Sequence, residues 1–155
     1  MVNNGLCLSS WFGLTVTFIL MGCIPTTQGA RETDRLIDEA ATCLATNVYH
    51  EARGESLTGQ RAVADVTLNG VADARWPNDV CAVVWQPKQF SWTHDNHSDE
   101  MVEAQSRIVA YFIALEALSK PRVTDATHYH AVYIQPYWAK HLQYIERIGL
   151  HKFYK

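Results

Sequence analysis

Glu51 is the residue of this chain whose surroundings best suit acid catalysis. It lies in the string Tyr49-His50-Glu51-Ala52-Arg53-Gly54-Glu55, at the close of an apolar stretch and within reach of a Trp- and Phe-containing segment. Apolar neighbours penalise the charged carboxylate and raise its pKa, which makes a proton donor. A glycosidic bond needs that donation to its leaving oxygen, and a groove lined by Tyr, Trp, Gln and Ser would bind the sugars. The other reading of Glu51 is a solvated helix carboxylate paired with Arg53.

Two-carboxylate glycoside hydrolysis places acids on both sides of the scissile bond, about 5 to 9.5 Å apart. Glu55 falls on the same helical face as Glu51 if the helix continues, so it suits holding Arg53 or capping the turn. Asp95 and Asp99 are more remote, with loop and helix-cap roles of their own. A single acid that protonates the leaving group, then as carboxylate takes a proton from a hydroxyl of the same sugar, needs no second carboxylate. The rival chemistry is a zinc-dependent amidase: His128 and His130 share one face of a strand and, with His151 or His141, would hold a metal whose water attacks an amide. No H-E-x-x-H spacing supports it. A third class is a glycan-binding module that keeps the groove without chemistry.

These residues need elements to position them. Leu36, Ala40, Leu44 and Val48 recur every fourth residue, predicting a helix that ends near Ala52 to Gly54. Val63, Val66, Gly70 and Val71 predict a second helix, and Val80, Val83 and Val84 a short third one after the turn at Trp76-Pro77-Asn78, all three amphipathic. Gln86 to Thr93, with Pro87, suits a strand or a loop lining the cleft. A long helix follows, capped by Ser98 or Asp99, buried through Met101, Ile108, Phe112 and Leu115, and stopped at Lys120-Pro121. Ala126 to Ile134 alternates as a half-buried strand does, with Tyr129 on one side and His128 and His130 on the other, and Leu150 to Tyr154 is a second β segment. The fold class is α+β, with helices dominant.

The 155 residues suit one domain, and 48% hydrophobic against 19% charged residues give it a core. With 13 Lys and Arg against 16 Asp and Glu, a net charge of −3 and no basic run, nucleic acid is excluded as a partner. Every charged residue lies from Arg31 onward, so residues 1–30 read as a signal or membrane-anchor segment and 31–155 as the catalytic domain. From Leu6 to Ile24 the front is apolar but diluted by Gly, Ser and Thr, and three fates compete. Cleavage near Thr27 to Ala30 would release the domain. Leu20-Met21-Gly22-Cys23 resembles a lipoprotein signal, and retention would resemble the signal-arrest-release anchors of some phage endolysins. Of the cysteines, Cys43 and Cys81 are either a disulfide, as an exported chain permits, or two buried thiols.

Several strings carry a resemblance: Asn47 to Glu55, Gly59-Gln60-Arg61-Ala62-Val63-Ala64, Gln89-Phe90-Ser91-Trp92, Ala126-Thr127-His128-Tyr129-His130-Ala131, Pro136-Tyr137-Trp138-Ala139 and Ile148 to Tyr154. In this order the chain, from about residue 40 to 155, resembles the SleB-type cell-wall hydrolases, the spore-cortex-lytic catalytic domain family. The resemblance implies a lysozyme-like α+β domain related to lytic transglycosylases, with a small antiparallel sheet. It implies peptidoglycan as the substrate, cut between N-acetylmuramic acid and N-acetylglucosamine, an exported location in the periplasm or cell envelope, and no cofactor. Glu51 would be the catalytic acid/base, with Gln89, Ser91, Trp92, Tyr129 and Trp138 lining the sugar cleft. A short catalytic domain behind an apolar front also resembles a phage endolysin. Two departures stand out. Leu68-Asn69-Gly70-Val71 replaces the usual L-N-R-V, which removes an Arg and should loosen that helix end. Lys88 and His94 stand near Q-F-S-W where many exported relatives have a cysteine pair.

Overall fold

The computed structural model describes residues 27–155, and the expectations for the front segment lie outside the described residues. Four α-helices precede a small sheet: α1 (Thr27–Ala52), α2 (Leu57–Ala72), α3 (Val80–Val84), α4 (Ala104–Ser119), then β1 (His128–Ala131), β2 (Tyr144–Ile148) and β3 (His151–Tyr154). The strands form one antiparallel sheet in the order β1-β3-β2. This is the helix-dominated α+β class that the sequence predicts.

Helix α1 ends where the spacing predicts, at Ala52, and is helical from Thr27, the first described residue. Residues 28–39 of this helix are exposed. Leu36, expected in the core, is exposed together with Ile37, and burial begins at Ala41. From there Leu44, Ala45, Val48 and Tyr49 enter a core shared with α2, α3 and α4.

Helix α2 is not amphipathic as predicted. It is buried continuously from Gly59 to Leu68 because α1, α3, α4 and the sheet surround it. Two charges are therefore inside the protein. Arg61 Nε donates to Asp65 Oδ1 at 3.1 Å and Arg61 Nη2 to the Pro121 carbonyl at 2.8 Å, while Asp65 accepts the Val123 N–H. A buried ion pair stands only when its remaining donors and acceptors are filled. Here they fasten the α4-to-β1 connection, helped by Asn69, whose amide donates to the Thr124 and Ala126 carbonyls. The helix does not end loosely at Gly70: it runs on to Ala72, and Gly70 is buried against Val83.

Helix α4 buries the opposite stripe from the predicted Ile108, Phe112 and Leu115, whereas Met101 packs half-buried against the core from the preceding loop. Ala110, Ile113, Ala114 and Ala117 face α1 and α2, while Ile108 (48% exposed), Phe112 (69%) and Leu115 (43%) point outward. Both stripes have helical spacing, but three alanines let the backbones approach more closely, and close packing selects that side. Neither Ser98 nor Asp99 caps it; the N-cap position is Glu103, without a side-chain cap bond, and the preceding segment is loop. The end before Lys120-Pro121 is as predicted.

In the sheet, the strand predicted over Ala126 to Ile134 is confined to four residues, because the chain turns after Ala131 with Ile134 N–H donating to its carbonyl. Strand β3 matches the predicted second segment, and β2 was not foreseen. Cys43 and Cys81 form a disulfide that ties α1 to α3. That resolves the two readings in favour of the bridge.

Candidate active site

The last turn of α1 opens into a cleft of about 960 Å³. One wall is the loop from Lys88 to Glu103, including the 3-10 turn Ser91–His94; the other is β1 with its following turn and Trp138. The Pro87-containing segment is thus the cleft-lining loop rather than a strand. Lys88 holds it with a left-handed backbone, φ 67°, a conformation that costs a non-glycine residue about 1 kcal/mol or more.

Glu51 lies in this cleft, half-buried, with Oε2 accepting the Tyr129 hydroxyl at 3.0 Å. Burial raises its pKa, and the Tyr129 hydrogen bond opposes part of that rise. Tyr129 stays a donor, since burial and then the neighbouring carboxylate push its own pKa well above the ordinary phenol value. The alternative reading, a carboxylate paired with Arg53, does not hold. Arg53 donates to Glu103 Oε1 at 3.2 Å and to the Tyr49 carbonyl at 3.3 Å, and lies over the Tyr49 ring.

The turn that carries Glu51 also fastens the loop wall. The Glu103 N–H donates to the Tyr49 hydroxyl at 3.0 Å, and a His50 ring nitrogen lies 3.1 Å from the Asp99 carbonyl. His50 stacks on Trp92 at 4.6 Å, and the Trp92 indole N–H donates to Asn47 Oδ1 at 3.1 Å. Trp92 is therefore largely buried and braces the wall on α1, whereas Gln89 and Ser91 are exposed at its rim. Tyr129 and Trp138 stand across from them. All six residues singled out in the sequence, Glu51, Gln89, Ser91, Trp92, Tyr129 and Trp138, reach one cleft.

Of the other acids, Glu100 lines the exposed rim of the cleft, and Glu55, Asp95 and Glu103 have partners of their own. Glu55 does not hold Arg53; its carboxylate accepts the Leu150 N–H, at 3.3 Å from each oxygen, and lies 3.7 Å from His151 Nδ1. Asp95 lines the cleft but accepts the His97 N–H, and Glu103 is spent on Arg53 and Ser106. For the zinc reading, His130 has one ring nitrogen 3.0 Å from the Tyr154 hydroxyl and the other 2.8 Å from the Ala131 carbonyl, while His128 meets Thr127 at 3.0 Å. Among the described residues no three His, Cys, Asp or Glu side chains come together as metal ligands do. The two strand histidines instead frame Trp138, at 5.3 and 5.6 Å between ring centres.

Sequence reasoning missed Trp76, read there as part of a turn, which lies edge-on to His128 at the cleft. It also missed the pairing of Arg53 with Glu103. The aromatic beside Pro77 was the only signal for the first; nothing in the spacing marked the second.

Comparison with known proteins places this geometry in context. The family model described as Cell Wall Hydrolase matches residues 54–154, starting just after Glu51. The spore cortex-lytic enzyme of Bacillus subtilis (strain 168) is 31% identical over 112 residues, covering 71% of this chain and 35% of that protein. That of Bacillus cereus is 46% identical over 52 residues, covering 34% of this chain and 20% of that protein. The matched part thus spans about a fifth to a third of these curated relatives. Among solved structures, the catalytic domain of the Bacillus cereus SleB protein superposes with a TM-score of 0.64 at 30% identity, covering 76% of this chain and 91% of that one. The catalytic domain of the germination-specific lytic transglycosylase SleB from Bacillus anthracis gives 0.61 at 30% identity, covering 75% and 93%.

Proposed function

The chain belongs to the cell wall hydrolase family, and from that premise we propose that it cleaves the glycan strand of peptidoglycan between N-acetylmuramic acid and N-acetylglucosamine as a lytic transglycosylase. The observation that carries the reading is Glu51: a desolvated carboxyl in the cleft, held by a tyrosine hydroxyl and without a cationic partner among the described residues. The similarity to a domain described as a lytic transglycosylase supports the same chemistry.

In this mechanism protonated Glu51 gives its proton to the oxygen leaving as the N-acetylglucosamine hydroxyl, and the bond from that oxygen to the muramic C1 breaks. The resulting carboxylate takes the proton of the muramic 6-hydroxyl as that oxygen bonds to C1, closing an anhydro ring and restoring the acid. No water is consumed. Tyr129 fits both stages: its hydroxyl orients the carboxyl and stabilises the charge after the first transfer. Gln89 and Ser91 on one wall, and Trp138 on the other, would bind the flanking sugars, with Trp92 fixing the first wall in place.

The disulfide supports a location outside the reducing cytoplasm, in the cell envelope. Residues 1–30 would direct export, and the mass of the mature N-terminus separates cleavage, lipidation at Cys23 and retention in the membrane.

The reading is tested with Glu51→Gln, which keeps an acceptor for Tyr129 and removes the acidic proton. We expect clearing of purified cell walls to fall by about 10² to 10⁴ with the near-UV spectrum unchanged. Full activity in a folded Gln variant would refute it.

A further inference from the structure

The E-A-R-G-E string contains two glutamates, and the second has been given no part in the reaction. Glu55 is not among the residues lining the cleft, and its side chain is only 9% exposed. It is wedged between the first turn of α2 and the turn joining β2 to β3. On one side a Cβ at Gly59 would stand 3.1 Å from the Glu55 Cβ. On the other, Gly149 has φ +55°, and a Cβ there would fall 1.8 Å from Glu55 Oε2, so the turn is folded directly onto this carboxylate. Both oxygens face the Leu150 N–H, and His151 Nδ1, buried and without a hydrogen-bond partner among the described residues, lies 3.7 Å away.

That contact leads back to the acid. His151 opens β3 and meets the Tyr129 ring edge-on at 5.2 Å; Phe153, paired with Tyr129 in the β1/β3 ladder, lies against the same ring at 5.8 Å. Tyr129 then donates to Glu51. We infer that Glu55 is a positioning residue, anchoring the start of β3 so that His151 and Phe153 hold Tyr129 at hydrogen-bond distance from Glu51. A wedge of this kind costs rate when loosened, because a misplaced catalytic group loses much of its advantage. The inference rests on the proposed role of Glu51, and nothing in it requires Glu55 to touch the sugar.

The test is a double-mutant cycle between Glu55→Gln and Tyr129→Phe, read as kcat and KM on purified glycan strands. Glu55→Gln should lower kcat by about tenfold with KM changed less than twofold, and should cost less than twofold once Tyr129 is Phe. Equal losses in both backgrounds, or a loss confined to KM, would overturn the proposal. Gly149→Ala, which drives a methyl group into the same carboxylate, should reproduce the kcat loss and its dependence on Tyr129. If Glu55→Gln does not fold, a folded Gly149→Ala enzyme with unaltered kcat overturns the proposal on its own. Carboxyl NMR of Glu51 reads the same coupling without turnover: its titration midpoint should rise in Glu55→Gln, and an unmoved midpoint counts against the inference even if the wild type makes no anhydro ends.

Discussion

The Tyr129 hydroxyl donates to Glu51 Oε2 at 3.0 Å, joining strand β1 to the last turn of α1 through two residues 78 positions apart in the chain. The donor stabilises the charged carboxylate, so it works against the burial that raises the Glu51 pKa. Tyr129→Phe should therefore raise that pKa further. The alkaline limb of the kcat/KM profile should move to higher pH, while the maximal rate falls because the carboxylate formed in the first step loses its donor. An alkaline limb that stays in place or moves down would show that the bond does not govern the acid.

The same burial has a cost in stability with a definite sign. The folded protein holds the Glu51 proton more tightly than the unfolded chain, whose ordinary value is 4.5. Ionised Glu51 therefore destabilises the fold progressively as pH rises from about that value through the raised folded one. Glu51→Gln should be inactive yet more stable than the wild type at neutral pH, and the difference should vanish in acid below the unfolded value. Thermal unfolding of both proteins across this range checks it; a variant that is less stable at neutral pH would contradict the desolvation.

The disulfide closes a loop with a sequence separation of 38, between the helix that carries Glu51 and the short helix α3. Cys43→Ser with Cys81→Ser should cost about 2–4 kcal/mol, read from urea unfolding with and without reductant. Reductant should destabilise the wild type and leave the double variant unchanged.

Helix α4 offers a contrast between its two apolar stripes. Phe112→Ser, on the exposed side, should change stability by less than about 0.5 kcal/mol, whereas Ala114→Leu, at the close contact with α1 and α2, should cost about 1–3 kcal/mol. The reverse order in denaturant midpoints would restore the stripe that the sequence favours.

That stripe illustrates where the sequence was legible. Helix ends marked by chemistry, such as Ala52 before Gly54 and Ser119 before Lys120-Pro121, were readable because glycine and proline act locally. The choice of face on α4 was not, since Ile108, Phe112 and Leu115 are more hydrophobic than the alanines that pack; only the partner helices decide. Nothing in the spacing marks Arg61 and Asp65 as a buried pair, for the same reason, and β2, with its exposed Tyr144 and Glu146, lacks the apolar alternation that marks a strand. The cleft residues were legible through their strings, which named Glu51, Gln89, Ser91, Trp92, Tyr129 and Trp138 without distances. Glu55 and Glu103 were not, because their partners Leu150 and Arg53 are chosen by tertiary packing.

The account turns on which bond breaks and how it is closed. Mass analysis of purified peptidoglycan digested by the wild-type protein tests this most directly. The proposed chemistry predicts muropeptides ending in 1,6-anhydro-muramic acid, lighter by one water than reducing-end products. Reducing ends would mean that water, activated by a second group, attacks the sugar; free stem peptides with intact glycan strands would mean that an amide is cut and that Glu51 does not protonate a glycosidic oxygen.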